Sequence, residues 1–263
     1  MKANLKKYSQ ANDAVFTARG TDSSRLEQLS DGVIALAITL LLVSLETPKT
    51  GDELLFFASD FLAFALSTIV LITIWYMHHL FFLRFGLRDK MIMLINSGLL
   101  VVVLFFVYPL KFIISFLLQY LKFIFLMLFD FAYDRQAFVQ LVTEVSSWEK
   151  LPFIMMIYSA GYVALMLSFA LFYRHALKKR EELLLNQAEV EKAEQTMMVY
   201  FIQCSVAGLS ISIAFGSLFT PIPWLSLLAG MIYFLIGPLV YFFGKRYAKK
   251  KSKQNEQLEK SIS

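Results

Sequence analysis

The chain has 263 residues, 58% of them hydrophobic, with 26 Phe against 3 His and 1 Cys and a mean hydropathy of +0.61, which excludes a soluble globular domain. A lone cysteine, Cys204, excludes an intrachain disulfide and any cysteine-built metal site, and reads as a small core residue. The net charge of +5 takes its meaning from placement relative to a membrane rather than from nucleic acid, which is not an expected partner.

The stretch up to Ser24 is polar and lacks the apolar core and cleavage site of a signal peptide, so the first helix is expected to stay attached. Six apolar runs follow, each near the ~20 residues needed to cross ~30 Å of hydrocarbon. They are Gly32–Leu45 with a polar foot before it, Phe56–Phe82, Met91–Leu118, Pro152–Tyr173, Met198–Phe219 and Trp224–Phe243. The expected fold is all-α: a polytopic membrane protein with six transmembrane helices and both termini cytoplasmic. That orientation leaves only Lys49, Lys111, Lys122, Arg135 and Lys150, of 25 Lys and Arg, on the far side. Residues 1–24 then form a cytoplasmic segment, 25–244 the membrane domain and 245–263 a basic tail that anionic lipid would attract.

Among the connections, Thr47–Leu54 reads as a short turn and Thr220–Pro223 as a tight hairpin that makes the fifth and sixth helices antiparallel neighbours. Residues 119–151 are apolar but interrupted by Lys122, Asp130 and Asp134, which suits an interfacial helix, a long third helix or, least well, a re-entrant segment. The mixed charges of His175–Thr196 suit a solvated helical connector. Pro109 should kink the third helix, Lys111 can snorkel to the interface, and Gly161, Gly208 and Gly216 allow close helix approach. No internal repeat is visible.

The first helix carries both the unusual charges and a resemblance. Arg25, Leu29, Ser30, Asp31, Gly32, Ala37, Ile38, Thr39 and Leu40 resemble the Arg-x-x-x-Phe-Ser-Asp signature of the transmembrane protein 175 family of cation channels, with Leu29 where the family usually has Phe. Trp75, His78, His79 and Asn96 match further along. The resemblance implies a potassium-permeable channel without a cofactor, assembled as a homotetramer in the bilayer, with this helix from each copy lining the pore. It also implies that Leu36, Leu40 and Val43 form a hydrophobic constriction and that Thr39 supports it and favours potassium.

Residue chemistry alone gives plainer readings. At about 100° per residue Leu36, Leu40 and Val43 share a ~60° arc, which in a membrane helix is by default a packing or lipid-facing stripe. Thr39 would ordinarily bond the carbonyl one turn earlier. Asp31 and Ser30 need partners inside a membrane, and Trp75, His78 and His79 lie at the depth of Arg25, Ser30 and Asp31, so one interhelical polar cluster is expected. Adjacent histidines diverge by ~100° and do not chelate a metal as a pair. Asn96 reads as a hydrogen-bonded link between helices. No TVGYG-like filter occurs, so potassium preference would need another device. A secondary transporter is the alternative function, although paired broken helices and an inverted repeat are missing. An enzyme built on Asp31, His78 and His79 lacks any nucleophile or phosphate motif.

Overall fold

The computed structural model describes residues 15–45, 49–129, 150–220 and 223–247, and every regular element among them is helical. The helices are α1 (Arg25–Val43), α2 (Gly51–Phe85), α3 (Lys90–Phe129), α4 (Leu151–Lys178), α5 (Gln187–Ser217) and α6 (Pro223–Met231). A 3-10 stretch, Ile232–Leu235, leads from α6 into a last helix, α7 (236–247). Among the described residues, six segments are long and apolar enough to cross a membrane: Arg25–Val43, Asp60–Phe85, Lys90–Leu118, Leu151–Lys178, Gln187–Ser217 and Leu228–Tyr247. The expected six-span architecture is therefore the observed one. Helices are what hydrocarbon demands, because each backbone N–H and C=O must find its partner inside the segment.

Neighbours in sequence pack in order: α1 on α2 and α3, α3 on α4, α4 on α5, and α5 on α6. The core lies where α2 meets α4. Phe81, Phe82 and Phe85 are fully buried there against Phe172 and Tyr173, with the Phe81 and Phe172 rings stacked at 4.7 Å. Between lipid-immersed helices such fit works through van der Waals contact rather than water exclusion. Gly161 contributes by absence, since a Cβ there would sit 2.6 Å from the Phe106 ring. Gly208 and Gly216 face open space, so the close approach expected of them does not occur within the protomer. Cys204 is half-buried at the core's edge.

Four further features differ from or refine the sequence reading. The described part of the irregular segment, up to Phe129, continues α3, whose helical assignment is unbroken at Pro109, while 130–149 lie outside the described residues. His175–Thr196 is not one solvated helix. α4 ends at Lys178, a turn follows, and α5 starts at Gln187 under a capping box in which Asn186 and Glu189 exchange bonds of 3.0 and 2.9 Å. That start lies three turns before the apolar run because hydropathy cannot see a polar but well-capped helix end. The last span, read as one helix, is interrupted by the 3-10 stretch, which contains Phe234, the residue whose carbonyl the ring of Pro238 obstructs.

Candidate functional site

α1 begins with its own capping box: Ser24 Oγ accepts from the Glu27 N–H at 3.2 Å and Glu27 Oε1 accepts from the Ser24 N–H at 3.0 Å. Its buried residues, Ser30, Ile34, Ala37 and Leu41, recur at helical spacing and face α2 and α3. The opposite face is open. Leu36 is 50% and Val43 74% exposed, and Thr39 lies exposed between them. Leu40 sits at the border, half-buried against the core. The Thr39 hydroxyl donates to the Ala35 carbonyl at 3.0 Å, the bond expected of an ordinary helical threonine, and with its hydrogen committed the oxygen can act further only as an acceptor.

The polar foot is two groups rather than one cluster. On the exposed side the Trp75 indole N–H donates to Asp31 Oδ1 at 2.7 Å, and the His79 ring stacks on Trp75 at 5.7 Å. On the buried side Ser30 Oγ donates to the Leu26 carbonyl at 2.9 Å and accepts from Asn96 Nδ2 at 2.9 Å. Asn96 Oδ1 is 2.7 Å from His78 Nε2. Because the amide nitrogen is committed to Ser30, its oxygen must accept, so His78 Nε2 carries the proton in this network. The chain thus ties α1 to α3 and α3 to α2. Arg25 is exposed and joins neither group. Successive histidines end up with different surroundings, His78 buried and His79 against Trp75, as their angular separation requires. Asn96 is the residue that links the buried group, joining Ser30 to His78, a role its sequence context suggested only in outline.

Two further tethers hold α1 and had no clear sequence signal. Before the helix, a strap from Phe16 to Gly20 runs between the α2–α3 and α4–α5 turns. Arg19 makes paired bonds to the fully buried carboxylate of Glu189, both 2.8 Å, and Nε donates to the Leu183 carbonyl at 2.8 Å. The Arg19 and Gly20 N–H groups both donate to the Leu83 carbonyl at 3.0 Å. After the helix, Lys111 of α3 donates to the Ser44 carbonyl at 3.0 Å and to Ser44 Oγ at 2.9 Å. Lys111 therefore does not simply snorkel outward; it closes the C-terminal end of α1.

A family model described as endosomal/lysosomal potassium channel TMEM175 matches residues 25–107, which opens on the first residue of α1 and contains both halves of the polar foot. Beyond that window, a potassium channel of Marivirga tractuosa is 36% identical over 239 residues, 89% of this chain and 92% of its own. The chain belongs to the TMEM175 family. Among TMEM175 structures, the crystal structure of a threonine-to-alanine variant of the potassium channel MtTMEM175, bound to a nanobody–MBP fusion, superposes with a TM-score of 0.75 at 35% identity, covering 90% of this chain and 98% of that one. A potassium channel of Streptomyces collinus is 35% identical over 88 residues, 31% of this chain and 43% of its own. The TMEM175 proteins matched here are named as channels, not enzymes.

Proposed function

We propose that the protein is a potassium-permeable channel of the cell membrane, a homotetramer in which α1 of each copy surrounds the pore and both termini lie in the cytoplasm. The observation that carries this reading is the two-faced α1. Its buried face is fixed to the protomer by Ser30, Ile34, Ala37 and Leu41, while Leu36, Thr39 and Val43 lie exposed on the other side. A helix at the edge of a protomer with one broad exposed face suits a shared axis. The names of the Marivirga and MtTMEM175 relatives supply the ion.

Leucine and valine side chains cannot replace the water of a potassium ion. A ring of Leu36, with Leu40 and Val43 above it, works by width and wetting: closed and dry it blocks, slightly wider and hydrated it conducts. The four Thr39 oxygens, with their hydrogens committed to Ala35, offer lone pairs between the Leu36 and Val43 levels and bias passage toward potassium. This is a weaker device than a carbonyl filter, so selectivity is modest. The test is flux through purified protein in liposomes, comparing potassium, sodium and a larger organic cation, with Leu36→Ala alongside. Potassium flux that does not saturate and rises in the variant is expected. Saturating flux, or flux needing a proton gradient, would replace the channel by a secondary transporter.

A further inference from the structure

We infer that Lys111 is an electrostatic regulator of cation entry at the Val43 end of the pore; this rests on the pore reading of α1 given above. A helix C-terminus carries a partial negative charge equivalent to about half an electron, spread over its last carbonyls. α1 has no basic residue in its own last turn. Four such ends around one mouth would gather cations. In this chain the carbonyls of Leu40, Leu41, Leu42 and Ser44 are occupied. The Ser44 N–H donates to Leu40, the Leu45 N–H to Leu42, and Ser44 Oγ to Leu41. The Ser44 carbonyl receives Lys111 Nζ at 3.0 Å, and the same nitrogen holds Ser44 Oγ at 2.9 Å. The ammonium comes from a different helix, one position past Leu110, which is buried, and two past Pro109 inside α3, so its reach is set by packing and not by α1 itself.

The result is a full positive charge directly behind the residue that follows Val43, where a partial negative charge would otherwise stand. Repeated by symmetry, it makes a ring that lowers the local cation concentration at the mouth without touching the permeation path. Such a field is long-ranged and screened by salt: the screening length is about 30 Å at 0.01 M, about 10 Å at 0.1 M and about 3 Å at 1 M. A contact effect on folding or gating has no such dependence.

The experiment is single-channel conductance of wild type, Lys111→Met and Lys111→Arg from about 10 mM to about 1 M KCl. The expected result is a Lys111→Met to wild-type conductance ratio of about twofold or more at the lowest salt, falling to one at the highest, with Lys111→Arg near wild type throughout. A ratio of one at every salt, a ratio independent of salt, or reduced conductance in Lys111→Met overturns the inference. Leu36→Ala recorded in the same series separates the two levels. If it changes conductance while Lys111→Met does not, only the Lys111 role fails; if it has no effect, the pore reading itself fails.

Discussion

Asn96 shows how much one amide carries in a helix bundle. It is fully buried, and both ends of its side chain are committed, to Ser30 on α1 and His78 on α2. Replacing it with Leu strands the buried His78 N–H, at about 1–3 kcal/mol, and removes the bond that Ser30 accepts, while Ser30 keeps its bond to the Leu26 carbonyl. Thermal unfolding of the detergent-purified protein is expected to shift down markedly for Asn96→Leu. For Trp75→Phe, whose Asp31 bond is exposed, the loss is about 1 kcal/mol or less; equal losses in the two variants would contradict the two-group description. Asp89, in the α2–α3 turn, gives a pH prediction. Desolvation pushes its carboxyl up, but bonds from His175 at 2.7 Å, the Ile92 N–H at 3.0 Å and Lys179 outweigh this and hold it at about 2, against an ordinary 3.8. A depressed acid stabilises the fold fully above its unfolded value, and that contribution is lost as pH falls from about 4 towards 2. The stability difference between wild type and Asp89→Asn is expected to be constant above pH ~4.5 and to shrink below it; a difference that grows on acidification would reverse the sign of the argument.

At the scale of elements, α1 is held at three points: the strap before it, the Ser30–Asn96 link along it and Lys111 behind it. The strap is the tightest joint. A Cβ on Gly20 would lie 2.1 Å from the Phe82 carbonyl oxygen, and one on Gly86, at φ +60°, would lie 2.9 Å from the Arg19 carbonyl oxygen. Gly20→Ala is therefore expected to unseat the strap, and Arg19→Met to strand the buried Glu189 at about 3–5 kcal/mol. Limited proteolysis near residue 20 reports this directly: faster cleavage in both variants is expected, and wild-type rates would show that the strap contributes nothing. Much of the element level was readable beforehand. Six apolar runs mark six spans because hydrocarbon permits little besides a ~20-residue helix. The stripe and the Ser30–Asp31 foot stand out because charge in an apolar run is rare. Glu189 was not readable as buried, since its partner lies far away in sequence and both sit in segments that look like ordinary solvated charge. The break before α7 was signalled by Pro238 but masked by uniform hydropathy, and the pairing of Lys111 with Ser44 depends on how α3 is rotated against α1, which no local pattern records.

In the proposed assembly, the face of α1 that its own protomer leaves bare is the wall of a pore shared among copies. An isolated protomer has no axis, so the proposed pore requires copies to assemble around the open face of α1. Measured subunit stoichiometry in detergent or nanodiscs is expected to be four, and a monomer that conducts would refute the shared-pore design. The most direct test uses the chain's single cysteine to advantage. In a Cys204→Ala background, Leu36→Cys, Val43→Cys and Ile34→Cys are each exposed to a small thiol-reactive cation during current recording, with labelling verified by mass. The account predicts prompt loss of current at Leu36 and Val43 and none at Ile34, whose side chain faces α2 and α3. Labelling of Leu36→Cys and Val43→Cys without any change in current would contradict it.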